Sequence, residues 1–96
     1  MPAYMLVRAN VTDPDQYAQY TKLTPAILEK YGGRFVIRGG EKHVLEGPAV
    51  PERIVLLQFP DVAAAKRMYN SAEYQAAIKA RAGAAEASFI VMEGFA

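Results

Sequence analysis

The sequence has no cysteine and no tryptophan, a single histidine, and a formal net charge of only +1 from 11 basic and 10 acidic residues. Each shortage excludes something. Without cysteine there is no disulfide, no thiolate metal site and no cysteine nucleophile. A lone histidine, His43, gives no His/Cys cluster, so no metal is expected. The balanced charge includes no basic tract of the kind that tracks a nucleic-acid backbone, and no nucleic-acid partner is expected. No apolar run approaches the length of a membrane span. The opening MPAYMLVRANVTD lacks the basic stretch and apolar length of a secretory leader, so the expectation is a cytoplasmic protein with no membrane contact.

What is present suits one folded domain spanning residues 1–96. Hydrophobic residues make up 52% of the chain and charged ones 22%, a globular rather than disordered balance. A chain this short buries a smaller share of its surface than a larger domain does, which favours support from a partner subunit.

Residues 3–9, AYMLVRA, predict a strand ending in polar turn residues. Asp13 is placed to cap a helix, with Pro14 at its first position and Gln16 where a capping box wants an amide. Tyr17, Tyr20, Thr24, Ile27 and Tyr31 then recur at helical spacing before Gly32 stops the helix. Pro25 lies inside it and predicts a kink or a restart at Thr24. Strands follow at 34–38 (RFVIR) and 53–59 (RIVLLQF), the latter the most apolar segment. Between them Gly39-Gly40 allow a turn or bulge into an extended arm, EKHVLEG. Asp61 caps a second helix, and Ser71 caps a further helical piece, SAEYQAAIKARAGAAEA, which Gly83 weakens without necessarily ending. SFIVME, residues 88–93, is the last strand.

The resulting βαββαβ order is that of an α+β, ferredoxin-like sandwich with an antiparallel four-stranded sheet and both helices on one face. Alternation along the strands divides their side chains into two sets. Met5, Val7, Ala9, Phe35, Ile37, Val55, Leu57 and Phe59 form a uniformly apolar set, expected under the helices. The other set mixes Leu6, Val36, Ile54 and Leu56 with Arg8, Arg34, Arg38 and Gln58. An apolar patch of that size on a bare sheet predicts a homodimer through the open face, closing an α/β barrel. Arg8, Arg38 and Gln58 would then line a partly enclosed space, and unpaired arginines there call for an anion or an inward carboxylate.

The stretch YGGRFVIRGGEKHVLEG holds two glycine pairs, but neither matches a phosphate-binding loop, which follows a strand and opens a helix. A helix stop and a strand bulge account for them. His43 is a weak catalytic candidate, set in an arm with Glu41, Lys42 and Glu46 that reads as exposed. Among the six tyrosines, Tyr17, Tyr20, Tyr69 and Tyr74 are candidates to ring a pocket mouth, the alternative being ordinary core packing. Tyr69 is also a weak catalytic candidate. Arg38, Arg53 and Arg81 are the main ligand-binding candidates, because a guanidinium at a strand end or helix face wants a planar anion. Pairing with Glu73 or Glu46 inside the chain is an equal alternative. No nucleophile–base–acid set or paired catalytic carboxylates can be assembled.

With Tyr31-Gly32-Gly33, Arg38-Gly39-Gly40, Glu46-Gly47, Phe59-Pro60 and the Tyr69/Ser71/Glu73/Tyr74 cluster in place, the chain resembles the domain of unknown function numbered thirteen-thirty over essentially its whole length. The resemblance implies a ferredoxin-like monomer whose sheets pair into a dimeric α/β barrel. The family has no settled activity. Relatives across the superfamily include cofactor-independent monooxygenases, lactone isomerases, haem-handling enzymes and ligand-sensing modules, whose catalytic residues do not map here one by one. Where the family often carries a tryptophan before the tyrosine at position 69, this chain has Met68. The expectation is a homodimer whose pocket takes a small anionic or phenolic metabolite without a cofactor. Arg38, Arg53, Tyr69, Tyr74, Arg81 and Tyr17 would bind it. If it is an enzyme, it is monooxygenase-like or isomerase-like. The alternatives are a non-enzymatic ligand-binding or stress-associated module, or a structural dimer.

Overall fold

The computed structural model describes residues 1–95. Its elements are β1 (Ala3–Val11), α1 (Pro14–Lys30), β2 (Arg34–Arg38), β3 (Arg53–Phe59), α2 (Val62–Tyr69), α3 (Ala72–Ala80) and β4 (Ala85–Glu93). The strands form one sheet in the order β2-β3-β1-β4, every neighbouring pair antiparallel. Two β-α-β units thus interlock, each with a strand of the other between its own two strands. All three helices cover one side of the sheet, giving the ferredoxin-like fold.

Local chemistry sets the helix starts. Asp13, Asp61 and Ser71 each accept the backbone N–H three residues on, at 3.1, 2.7 and 3.1 Å, satisfying donors that a helix start leaves free. The capping box expected at Gln16 does not form, because the Asp13 N–H is already bound to Ala84 O at 3.0 Å. Gln16 instead crosses to the end of α3, where Nε2 donates to Ala82 O at 2.7 Å and Ala80 O at 3.3 Å. At the other end of α1, Gly32 N and Gly33 N close back onto Glu29 O and Leu28 O, the paired bonds of a Schellman stop. The opposite end of the same interface is tied by Glu73, which accepts from Lys30 Nζ at 2.8 Å and from the Tyr31 hydroxyl at 2.5 Å.

Two expectations are corrected. Pro25 does not split α1, which runs unbroken to Lys30. The last helix is shorter than predicted: it ends at Ala80, and Gly83, at φ +79°, turns the chain into β4. A left-handed residue interrupts the helical ladder, and Ala85–Ala87 pair with Val11–Ala9 instead, so β4 starts three residues early. The arm after Gly40 joins no strand ladder and is exposed, as expected, with Lys42 Nζ donating to Glu52 O at 2.7 Å.

Met5, Val7, Ala9, Val55, Leu57 and Phe59 are buried under the helices, where they meet Tyr17, Tyr20, Leu28, Met68, Tyr74 and Ala77. Strand β2 departs from simple alternation. Phe35 faces Leu57, yet Ile37 faces Leu56 and Arg38 faces Val55, with a bulge between. One extra residue inverts the alternation beyond it. Ile37 therefore joins the open face, 44% exposed, and Arg38 moves to the helix-covered side, the reverse of the expected assignment for both. The open face carries Leu6 aligned between Leu56 and Ile90, with Tyr4 beside Met92. Ile90 and Met92 are each 49% exposed.

Candidate functional site

The β2 bulge makes the site. Between α1, α2, α3 and the sheet lies a cavity of about 40 Å³, floored by Val7, Val55, Leu57 and Met68, room for only a few water-sized groups. Arg38 and Arg53 stand together in its wall, and no acidic side chain lines it.

Each arginine is held by a specific local device. Pro25 has no N–H to give Thr21 O, the acceptor four residues back that an unbroken helix would use. That carbonyl instead receives Thr24 Oγ1 at 3.3 Å and Arg38 Nη2 at 3.4 Å. The Arg38 guanidinium also lies over the Phe35 ring, 4.3 Å from its centroid, a cation–π contact. Gly39 clears the way for Arg53. It adopts φ +68°, and a Cβ there would sit 3.1 Å from Arg53 Nε. Arg53 Nε is buried without a hydrogen-bond partner, and neither Arg38 nor Arg53 joins an ion pair among the described residues. The Arg53 Nε–H is therefore desolvated without an acceptor, which is unfavourable until one arrives, while Arg38 stays exposed.

Opposite them sit phenols. The Tyr20 and Tyr74 hydroxyls hydrogen-bond to each other at 2.5 Å, and both residues are buried. Burial raises both phenols above their ordinary titration range, in Tyr74 helped by the Tyr20 hydroxyl. Both stay neutral at physiological pH, so they donate hydrogen bonds rather than accept protons. In such a pair one O–H is spent on the partner and the other remains free for a ligand. Rings Tyr17, Tyr20, Tyr74, Tyr69 and Phe89 form a connected train, with centroids 5.3 to 6.2 Å apart.

The structure divides the expected ligand residues. Arg38, Arg53, Tyr17 and Tyr74 line the cavity. Tyr69 and Arg81 line a separate cleft toward β4, while the Arg81 guanidinium stacks 5.0 Å from the Tyr20 ring, behind the cavity wall. His43 belongs to neither: it is 73% exposed, 3.7 Å from Glu41 Oε1. Glu73, one suggested arginine partner, is taken by Lys30 and Tyr31, whose ammonium and hydroxyl hold its carboxyl down at about 2. Thr21, Thr24, Phe35 and Phe89 also line the cavity, and none of them is among the expected ligand residues. Only Thr21 left a signal, as the residue four before a mid-helix proline. Among the described residues no three His, Asp or Glu converge as a metal site would require, and no helix is long and apolar enough to cross a membrane.

Comparison with known families decides the assignment: the profile described as a domain of unknown function, DUF1330, matches residues 2–95. The chain belongs to the DUF1330 family. A comparison with curated protein sequences finds no significant match. Among solved structures, a protein of unknown function from Rhodopseudomonas palustris is similar, with 24% identity, a TM-score of 0.77, and coverage of 99% of this chain and 83% of that one. SnoaB, a cofactor-independent oxygenase from Streptomyces nogalater, is similar at 14% identity and a TM-score of 0.69, covering 99% and 94%. A dimeric protein of unknown function with a ferredoxin-like fold from Bacteroides fragilis gives 16%, 0.60, 97% and 96%. At these identities the likeness is one of fold. The family's description names no activity.

Proposed function

We propose that this DUF1330 protein binds a small anionic or phenolic metabolite between its sheet and helices, as a homodimer joined through the open sheet face. The observation that carries the reading is the convergence of Arg38 and Arg53 on a cavity without a carboxylate. Two guanidiniums suit a planar anion, the apolar floor suits its hydrocarbon body, and the free O–H of the Tyr20–Tyr74 pair supplies a neutral donor. The dimer rests on the half-exposed apolar face and on the dimeric description of the Bacteroides fragilis neighbour.

Binding without chemistry is the better-supported form. The phenols titrate too high to act as bases near neutrality, and His43 lies away from the cavity. A second reading adds a reaction driven by the substrate's own reactivity, with the free tyrosine O–H stabilising a developing oxyanion. SnoaB, on the same fold, is a cofactor-independent oxygenase.

Isothermal titration with acetate and acetamide, each only a few heavy atoms in size, tests the proposal. The carboxylate should bind at least about tenfold tighter than the amide, and Arg53→Gln should remove that advantage. Equal binding of the two, or an advantage untouched by Arg53→Gln, would overturn the anion site. Oxygen uptake with a bound electron-rich phenol separates the second reading from the first.

A further inference from the structure

The cleft between α2, the turn after α3 and the β1–β4 side of the sheet is larger than the first cavity, about 310 Å³ against about 40 Å³. Its walls have the same unbalanced chemistry. Lys66 and Arg81 supply two positive charges, and no acidic side chain lines it. Neither cation joins an ion pair among the described residues. Both have ordinary structural uses, since each sits at or near a helix C-terminus, where positive charge is favoured. That use does not account for Arg81. Its Nε is buried without a partner, and its guanidinium lies 5.4 Å from the Phe89 centroid and 5.0 Å from that of Tyr20. A helix-capping cation would point to the carbonyls and water; this one lies near two ring faces with its Nε–H unanswered.

The rest of the cleft is apolar and aromatic. Met5, Ala65 and Val91 line it with Tyr69 and Phe89, whose rings are 5.6 Å apart, and the Asn70 amide adds a neutral donor and acceptor. We infer that this cleft is a second ligand site, distinct from the Arg38–Arg53 cavity, which takes a carboxylate carried on a flat apolar body. The carboxylate meets Arg81 and Lys66, and the body lies against Phe89 and Tyr69. The inference does not depend on the first site being functional. Phe89 lines both spaces, so the experiment must assign binding to one of them.

Fluorine NMR titration of the full chain with 4-fluorobenzoate, with 4-fluorobenzamide as the neutral control, makes that assignment. The titration is run in an Arg53→Gln background, which disables the first site. Saturable binding of the carboxylate should persist there and should weaken at least tenfold on adding Lys66→Ala, an exposed position whose truncation leaves the core intact. Ala87→Phe, which fills the cleft from its exposed rim, should abolish it. If carboxylate and amide bind alike, if Arg53→Gln alone removes all binding, or if Lys66→Ala and Ala87→Phe leave binding unchanged, the second site is overturned. Loss on Ala87→Phe with no effect of Arg53→Gln in the wild-type background would refute the first site and keep the second.

Discussion

On the open face of the sheet, Arg8 meets Glu52 at 3.2 Å and Arg34 donates to Gln58. On the helix-covered side, Arg38, itself exposed, has only a long bond to a backbone carbonyl, and Arg53 and Arg81 each keep a buried Nε–H with no partner. The two open-face arginines thus have side-chain partners, and Arg53 and Arg81 do not. The apolar residues show the opposite trend: packed under the helices, half-exposed on the open face. Each face lacks a different thing. The open face has its arginines answered and is short of apolar cover, which a second copy of the chain would supply. The covered face has its apolar groups packed and is short of negative charge, which a ligand would supply.

That contrast can be tested from its strongest consequence downward. Leu57→Ala, cutting a 6%-exposed side chain under the helices, should lower unfolding free energy by about 2–5 kcal/mol in urea titration. Ile90→Ala on the open face should leave the monomer's stability nearly unchanged and weaken self-association instead. Equal effects of the two on stability at low protein concentration would erase the distinction between the faces. Leu56→Asp places a charge at the centre of the open face and should convert a dimer to monomer in light scattering. A dimer of unchanged mass would show that the sheets do not pair through this surface.

Smaller effects sharpen the comparison of the arginines. Arg8→Gln should cost less than about 1 kcal/mol, as expected for an exposed ion pair, and should not alter carboxylate binding. Arg53→Gln should leave the unliganded fold as stable or stabilise it, by removing a partly desolvated charge without an internal partner. Marked destabilisation by Arg53→Gln in thermal melts would make that arginine structural.

The smallest expected effect lies at the α1–α3 junction. Lys30 and Tyr31 hold the Glu73 carboxyl at about 2 in the folded chain against an ordinary 4.5. A lowered folded value means that this contribution is fully present above about 4.5 and is lost as pH falls toward 2. Glu73→Gln should flatten that part of the profile of melting temperature against pH. An unchanged acid limb would place the pH dependence elsewhere.

Much of this architecture is legible in local chemistry. Asp13, Asp61 and Ser71 announce the helix starts, and the alternation of β1 and β3 separates buried from open positions because both strands pair without interruption. Of the candidate site, Arg53, Tyr17 and Tyr74 were visible as residue types in suitable elements, but their grouping was not. Arg81 and Tyr69 resemble them in sequence and line a different cleft, because that separation depends on how α2 and the turn after α3 meet β4.

Arg38 marks the boundary between the two kinds of information. RFVIR carries three consecutive apolar residues between two arginines, and nothing in its five residues signals the bulge at Val36. Caps, turns and strand periodicity are short-range properties, so the sequence by itself determined the element types, the buried faces of β1 and β3, and the apolar character of the open face. Which side Arg38 takes is set by hydrogen-bond register against β3, some twenty residues away, and by a carbonyl that Pro25 leaves open on α1. Those partners meet only when the sheet and helix dock, so tertiary structure alone decided that this arginine belongs to the cavity.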